Sequence, residues 1–288
     1  MYSICALASK DKPLDEERRE LLTSALAPNQ WKWLRRNRAL VMRFRSAPAG
    51  VQIIAARESA EVDLFFKKDE GPFAPKKLLI CDMDSTVIEQ ECIDELADFA
   101  GFREKVVGIT EAAMRGELDF EAALRERVAL LKGLPEATMQ QVFDERLTLS
   151  EGIEWLVKGM KREGAKAILV SGGFVFFTER VARRAGFEEH YGNRLAVENG
   201  VLTGEIVAPV LTKDSKLKIL EHKINQLGIT SEDVLAIGDG ANDIPMLQHA
   251  GMGVAYRAKA ATKKAAKFSL DFADHETLLW AQGIKSTA

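Results

Sequence analysis

The clearest pattern in the chain is an apolar run at residues 78–81 that ends in a cluster of polar side chains. Two lysines precede the run, and the sequence Asp-Met-Asp-Ser-Thr follows it at residues 82–86. A short strand that is apolar on both faces is typical of a parallel sheet covered on both sides. Ligands bind beyond the carboxyl ends of such strands, so Asp82 and Asp84 are candidate binding residues. Turns and helix caps use the same residue types, which leaves a structural role open for this motif.

Two further apolar runs lead into polar motifs in the same way. Residues 167–170 precede Ser171-Gly172-Gly173, a sequence that suits either a backbone cradle for an anion or an ordinary glycine turn. Residues 234–237 lead into the sequence Gly-Asp-Gly-Ala-Asn-Asp at 238–243. Helical patterns lie between the strands, and another strand is expected at 253–256. This alternation predicts an α/β fold with a doubly wound, Rossmann-like parallel sheet.

Between the first two strands, residues 91–145 have helical periodicity. Ile93, Leu96 and Ala97 recur at helical spacing, and Gly101 is a natural C-cap. A crossover between parallel strands needs only one helix. The additional helices therefore predict a helical cap that stands over the sheet as a lid. Further cap helices are expected at 103–115, 120–131 and 136–143, and core helices at 152–162, 175–185, 213–227 and 258–267, with a β-hairpin over 194–206.

Residues 1–70 predict a small N-terminal α/β domain. Strands are expected at 3–8, 39–44 and 62–66, and a helix at 15–26. The Gly- and Pro-containing sequence at 69–75 predicts a linker, after which the second domain spans 76–288. The basic and aromatic sequence at 31–38 lacks acidic residues. It favours a solvent-exposed face or a contact with the second domain over a nucleic-acid or acidic-partner site.

Composition places the chain among globular proteins and narrows its partners. Its 288 residues are 47% hydrophobic and 29% charged, enough for a sizeable core. A net charge of -3 gives no general attraction to nucleic acid or to an anionic membrane. We find no apolar stretch that could span a bilayer and no signal-peptide pattern, so we expect a cytoplasmic protein. The three cysteines and four histidines have no spacing that indicates a disulfide framework or a metal site.

The order of the three strand-end motifs, with Lys216 before the third, resembles the haloacid dehalogenase-like phosphatases over residues 76–270. Residues 82–86, Glu91, the cap sequence at 125–131 and the motif at 238–243 are most similar to the phosphoserine phosphatases of that superfamily. The first 70 residues resemble their accessory domains only loosely. The resemblance implies Mg²⁺-dependent hydrolysis of O-phosphoserine, a small-molecule substrate, through an aspartyl-phosphate, in the last step of serine biosynthesis. From the net charge and the lack of a long apolar stretch, we expect neither a nucleic-acid nor a membrane partner.

The same resemblance implies the roles of the acidic residues. Asp82 would be the nucleophile that attacks phosphorus, and Asp84 the general acid and base. Mg²⁺ would be held by the Asp82 carboxylate, the main-chain carbonyl of Asp84 and the Asp239 carboxylate. Asp243 and Thr86 would support this arrangement.

Substrate recognition is likewise implied by the resemblance. Glu91 would bind the substrate ammonium and Arg127 its carboxylate, for which a planar guanidinium is well shaped. Charges on the surface of a helix are the alternative for both residues. The remaining substrate contacts would be Ser171, the Gly172 amide, Lys216 and Asn242 around the phosphoryl group, with Met114 and Phe120 as apolar walls.

Two other classes of function remain open from the sequence. One is a phosphotransferase that passes the phosphoryl group from Asp82 to another alcohol, such as homoserine. The other is a regulatory or binding protein in which residues 1–70 sense an amino acid or a partner. The complete set of acidic residues favours catalysis. The sequence does not determine the oligomeric state, and a homodimer is left open.

Overall fold

The computed structural model describes residues 1–69, 71–114 and 119–285, and of residues 107, 110–114, 120 and 213 it describes only the backbone. These residues form two β-sheets, one of four strands and one of seven, with helices around them. The predicted fold class is confirmed, since a mostly parallel core sheet is joined by a small antiparallel sheet near the N-terminus. The predicted domain limits of 1–70 and 76–288, with a cap at about 91–145, stay a prediction.

The first sheet has the strand order β2-β3-β1-β4 and is antiparallel. Two of its elements were not predicted, the edge strand β2 and the helix α2. Helix α2 has no clear apolar stripe, because Val51 and Ile54 are 74% and 64% exposed. In chain order the elements are β1 Tyr2–Leu7, α1 Glu16–Leu26, β2 Gln30–Arg35, β3 Ala39–Phe44, α2 Gly50–Ala60 and β4 Asp63–Lys67.

Alternate residues of this sheet belong to two different hydrophobic clusters. Ile4 and Leu40 pack on the side of α1 and α2. Leu7, Val41 and Phe65 belong to the same cluster as the apolar side chains of the larger sheet and its helices. Neighbouring residues of a strand point to opposite faces, so this one sheet contributes side chains to both hydrophobic clusters. The N-terminal sheet is therefore packed directly against the core.

The second sheet has the order β11-β10-β9-β5-β6-β7-β8 and is parallel except for the pair β7–β8. The predicted hairpin is confirmed, and Asn199 and Gly200 at its turn both have positive φ, as a type I′ turn requires. The strands are β5 Leu78–Cys81, β6 Lys166–Phe174, β7 Glu189–Glu198, β8 Val201–Val207, β9 Val234–Gly238, β10 Met252–Tyr256 and β11 Phe268–Leu270.

The helices of this part divide into a cap and the layers that cover the sheet. The predicted core helix at 258–267 is shorter than expected, and α10, α12 and β11 were not predicted. The cap helices are α3 Cys92–Phe99, α4 Arg103–Met114, α5 Phe120–Ala129 and α6 Ala137–Glu145. The core helices are α7 Ile153–Arg162, α8 Val175–Ala185, α9 Lys213–Leu227, α10 Ile244–His249, α11 Ala260–Ala265 and α12 Thr277–Ala281.

Strand β7 begins at Glu189, five residues before the predicted start of the hairpin, and the predicted end of β6 was also wrong. Strand β6 was expected to end at Val170, but it continues to Phe174 and includes the Ser-Gly-Gly motif. Its pairing with β7 shifts register between Val170 and Phe174, so the motif is an irregular part of the strand. Glycines tolerate such an interruption of a strand, and the backbone groups freed from the ladder can face the carboxyl edge of the sheet.

The cap is joined to the core by two antiparallel connecting segments. Ile88 and Leu149 form a β-bridge between them, and the Ser150 amide donates to the Val87 carbonyl at 2.9 Å. On its other side the cap is attached to the hairpin, where the Gly133 amide donates to a carbonyl of β8 at 2.8 Å. These contacts hold the cap over the carboxyl edge of the parallel sheet. No helix among the described residues is long and apolar enough to cross a membrane.

Candidate active site

A cavity of about 720 Å³ lies between the carboxyl edge of the core sheet and the cap. All three strand-end motifs reach it, because neighbouring parallel strands end on the same side of the sheet. Eight residues predicted for the site line this cavity: Asp82, Asp84, Glu91, Arg127, Ser171, Gly172, Asp239 and Asn242.

The other predicted residues lie beneath or outside this lining. Lys216 and Asp243 are buried behind Asp82. Thr86 is fully buried, and its hydroxyl has no hydrogen-bond partner among the described residues. The side chains of Met114 and Phe120, predicted as apolar walls, lie outside the described part of the structure.

Three carboxylates form a compact acidic cluster below the cavity. Asp82, Asp239 and Asp243 each offer one oxygen, and these oxygens lie within 4.8 Å of one another. Burial, reinforced by the charge of Asp243, raises the pKa of Asp82 well above its ordinary value and that of Asp239 to about 6. A bound cation relieves such repulsion, and carboxylate oxygens are the donors that hard divalent ions prefer. The cluster therefore fits a metal ion.

The buried ammonium of Lys216 already neutralises part of this cluster. Its Nζ lies 2.7 Å from Asp82 Oδ1 and 2.6 Å from Asp243 Oδ1. Burial opposes its charge, but the carboxylates of Asp243 and Asp82 raise the pKa of Lys216 above its ordinary value. Asp82 Oδ1 also accepts the Met83 amide at 2.8 Å. Lys216 thus fixes the orientation of the Asp82 carboxylate, whereas its predicted contact with phosphate stays a prediction.

Asp84 is held in place from the neighbouring strand and from the cap. Ser171 Oγ donates to Asp84 Oδ2 at 3.0 Å, and the Cys92 amide donates to Asp84 Oδ1 at 2.8 Å. Glycine at position 173 leaves room for this arrangement, since a Cβ there would lie 2.8 Å from Asp84 Oδ2 and would displace the carboxylate. Because α3 begins at Cys92, the hydrogen bond donated by the Cys92 amide links the first helix of the cap directly to this carboxylate.

Sequence reasoning missed the residue that supports the Ser-Gly-Gly motif. Asn193 of β7 is fully buried, and its Nδ2 donates to the Gly172 carbonyl at 2.8 Å. Its Oδ1 accepts the Leu211 amide at 2.7 Å. A buried amide with both ends satisfied fixes the adjoining backbone. A lone asparagine in a predicted strand gives no signal of this role, which depends on the pairing of β6 with β7.

Two charged side chains from the cap face the cavity. Glu91 accepts the Ser85 hydroxyl at 2.7 Å, and burial, with the nearby charge of Asp84, raises the pKa of Glu91 to about 7. Arg127 donates through Nε to the Ala123 carbonyl at 3.2 Å. Burial lowers its pKa, although neighbouring carboxylates favour the charged form. The predicted Glu91 and Arg127 therefore line the same cavity, in which the Glu91 side chain is accessible to solvent.

Two charged residues of the lining were not predicted from the sequence. Asp94 lies in the first turn of α3, and Lys259 immediately precedes α11 in the core. Both stand in charge-rich segments that read as solvent-exposed helix surface. They reach the cavity because the cap is folded back over the sheet, which no local pattern indicates.

Comparison with known proteins agrees with this geometry. A model of the haloacid dehalogenase-like hydrolases matches residues 79–248. A phosphoserine phosphatase from Albidiferax ferrireducens is 45% identical over 208 residues, which is 70% of this chain and 88% of the relative. A HAD family hydrolase from Salmonella enterica serovar Typhi has a TM-score of 0.85 and 30% identity, with 100% of both chains covered.

A second solved structure is similar to about two thirds of the chain. It is a phospho-aspartyl intermediate analogue of phosphoserine phosphatase, with a TM-score of 0.64 and 41% identity, covering 68% of this chain and 93% of that one. The match to the Salmonella hydrolase extends over the N-terminal sheet as well. Fold, cavity and sequence agree, and the chain is a phosphatase of the haloacid dehalogenase-like hydrolase family, similar to its phosphoserine phosphatases.

Proposed function

We propose that this phosphatase hydrolyses O-phosphoserine to serine and phosphate, the last step of serine biosynthesis, through an aspartyl-phosphate on Asp82. The observation that carries the proposal is the meeting of two groups of residues in one cavity. The acidic cluster with Asp82 and Asp239 lies on the core side, and Glu91 and Arg127 lie on the cap side. The first group suits phosphoryl transfer, and the second suits the charged ends of an amino acid.

Asp82 would form the covalent intermediate. Its carboxylate attacks phosphorus while the bond from phosphorus to the serine oxygen breaks, and Asp84 donates a proton to that oxygen. A water then attacks the phosphorus, gives its proton to Asp84 and releases phosphate with free Asp82. The contact with Lys216, at 2.7 Å, supports Asp82 in its ionised and correctly oriented form.

The residues of the acidic cluster fit Mg²⁺, the cofactor that the family implies. Asp82 and Asp239 would hold it together with the main-chain carbonyl of Asp84, and Asp243 would support this set. When bound, the ion offsets the charge of the phosphoryl group, which carries about -1.5 to -2 near neutral pH. Gly240 keeps Asp243 in position, because its amide donates to Asp243 Oδ2 at 2.9 Å.

Glu91 and Arg127 would recognise the amino-acid part of the substrate. An ammonium near Glu91 favours its charged form, so binding would lower its pKa from about 7. Arg127 presents a planar donor fork that matches a carboxylate. In the absence of substrate no ion pair holds this guanidinium among the described residues, and its Nε bonds only within its own helix. Arg127 is therefore available for an anionic ligand.

The covalent role of Asp82 is tested by phosphate release from O-phosphoserine in the presence of Mg²⁺. We expect Asp82→Asn to abolish turnover and leave the fold intact, since an amide is not a nucleophile here. Asp144→Asn is the matched control, because that residue lies exposed on α6. Wild-type turnover in Asp82→Asn would refute the aspartyl-phosphate.

The substrate is tested with a pair of arginine variants. Arg127→Ala is expected to reduce kcat/KM for O-phosphoserine far more than for an aryl phosphate that lacks a carboxylate. Arg125→Ala, on the same helix and paired with Glu121 at 2.7 Å, should leave both rates near those of the wild type. Equal losses on the two substrates in Arg127→Ala would remove this residue from substrate recognition.

A further inference from the structure

The cavity is more acidic than an anionic substrate would favour. Among the described residues, five carboxylates and two cations line it. Even with a divalent cation held by Asp82 and Asp239, the formal charges of this lining sum to a negative value. A phosphate monoester brings a further charge of about -1.5 to -2, so its approach is opposed unless cations stand near the entrance. The lining carboxylates are Asp82, Asp84, Glu91, Asp94 and Asp239, and the cations are Arg127 and Lys259.

Lys216 does not supply the missing attraction at the entrance. It is 3% exposed and lies between Asp82 and Asp243, so its charge is balanced locally. Arg127 approaches the cavity from the cap. Lys259 therefore contributes the cationic side chain that faces the cavity from the core side.

The position of Lys259 is set by the loop that carries the acidic cluster. Its amide donates to the main-chain carbonyl of Asp239 at 3.4 Å, which fixes its backbone beside that loop. Its side chain is exposed, lines the cavity together with Asn242, and forms no ion pair with a described residue. A lysine anchored at its main chain and free at its ammonium can follow a ligand that enters or leaves.

The neighbouring lysines have other contacts. Lys263 pairs with Asp271 at 2.7 Å, and Lys267 donates to the Ala250 carbonyl at 2.9 Å. Lys264 is exposed and does not line the cavity. Of the lysines in segment 259–267, only Lys259 lines the cavity.

We propose that Lys259 is a further substrate-binding residue, a mobile cation that attracts the phosphoryl group into the cavity and contacts inorganic phosphate as it leaves. The inference rests on the proposed hydrolysis of a phosphate monoester. The ionised carboxylate of Asp94, on the cap, counteracts this attraction, but burial raises its pKa and so favours its neutral form, while the charges of Arg127, Arg103 and Lys259 oppose that rise. An exposed ammonium contacts the phosphoryl group alike before and during reaction, so it changes KM rather than kcat.

The test compares Lys259→Met with Lys264→Met, which removes the same charge from the same segment. KM and kcat for O-phosphoserine and the inhibition constant of inorganic phosphate are measured with Mg²⁺ at low and high salt. We expect Lys259→Met to raise KM and the inhibition constant by roughly fivefold at low salt, with kcat nearly unchanged. The difference should shrink at high salt, and Lys259→Arg should restore wild-type values.

Two outcomes would overturn the proposal. One is that Lys259→Met and Lys264→Met behave alike, and the other is that Lys259→Met lowers kcat at unchanged KM. Calorimetric titration of the wild type and Lys259→Met with inorganic phosphate in Mg²⁺ needs no turnover. It therefore tests Lys259 even if O-phosphoserine is not hydrolysed, a result that would refute the proposed function separately.

Discussion

Replacing Arg38 by methionine is expected to destabilise the whole chain by an amount that rises with pH. Arg38 lies between the N-terminal sheet and the core, with Nη2 2.5 Å from Asp274 Oδ2 and its guanidinium 5.0 Å from the Trp280 ring centre. Its Nε donates to the Ala8 carbonyl at 2.9 Å. Methionine keeps much of the aliphatic packing and removes the charge. Asp274, which is fully buried, would lose its cation.

The magnitude follows from the state of the Asp274 carboxyl. Burial raises its pKa to about 6, although Arg38 opposes the rise, and removing Arg38 raises the pKa further. Above about pH 6 the folded variant therefore retains a proton that its unfolded state releases. The variant loses up to about 1.4 kcal/mol of stability per pH unit in this window, while the wild-type contribution of Asp274 is flat there.

The expected cost of Arg38→Met has two limits. Near pH 8 it should approach the roughly 3–5 kcal/mol typical of breaking a buried ion pair. Below about pH 6 the carboxyl is protonated in both folded proteins, so only the lost hydrogen bonds remain, at about 1–2 kcal/mol. Other groups, such as His275, whose pKa burial lowers to about 3, are common to both proteins and largely cancel in the difference.

Urea unfolding of wild type and Arg38→Met at about pH 5.5 and about pH 8 measures this difference. In Asp274→Asn, the effect of Arg38→Met should no longer depend on pH, because Asn keeps the acceptor for the Glu276 amide but does not ionise. Arg36→Met, which changes an exposed arginine nearby, should cost little. An equal effect of Arg38→Met at both pH values would refute the reasoning.

Three further changes test the site and the core. Gly173→Ala should lower phosphate release by about tenfold or more, because its Cβ would lie 2.8 Å from Asp84 Oδ2; steady-state kinetics with a matched thermal melt would separate this from unfolding. Gly253→Ala should destabilise by about 3 kcal/mol, since its Cβ would lie 1.9 Å from the Leu247 carbonyl oxygen, and an unchanged urea midpoint would contradict this. Chelation of divalent cations should stop turnover and MgCl₂ should restore it, whereas full activity in excess EDTA would argue against a metal at Asp82 and Asp239.

The sequence correctly predicted the helices and strands whose conformation depends on their own residues rather than on a partner strand. The strand at 78–81 is apolar throughout, and the helix at 213–227 has its predicted bounds. The end of β6 was misplaced because the course of Gly172 depends on the partner strand and on Asn193. Strand β2 was missed because its residues are mostly exposed, and it is defined by pairing with β3.

The site was predictable to the extent that it follows from strand ends. Parallel strands bring Asp82 and Asp239 to one edge whatever the details of packing. The pairing of Lys216 with two carboxylates, and the presence of Asp94 and Lys259 in the lining, depend on how α9, the cap and α11 pack. Those distances come from tertiary structure, and no spacing along the chain encodes them.

The two-faced N-terminal sheet has a consequence for how the protein unfolds. Leu7, Val41 and Phe65 share a cluster with Trp280 near the other end of the chain. Phe65 stacks on Phe268 of the last core strand at 4.7 Å. Unfolding of the N-terminal sheet by heat or denaturant would therefore also expose apolar surface of the core, which is unfavourable. We expect the chain to unfold in a single cooperative transition. Deletion of the first seventy residues would expose the apolar surface that this sheet covers, and we expect the truncated protein to aggregate.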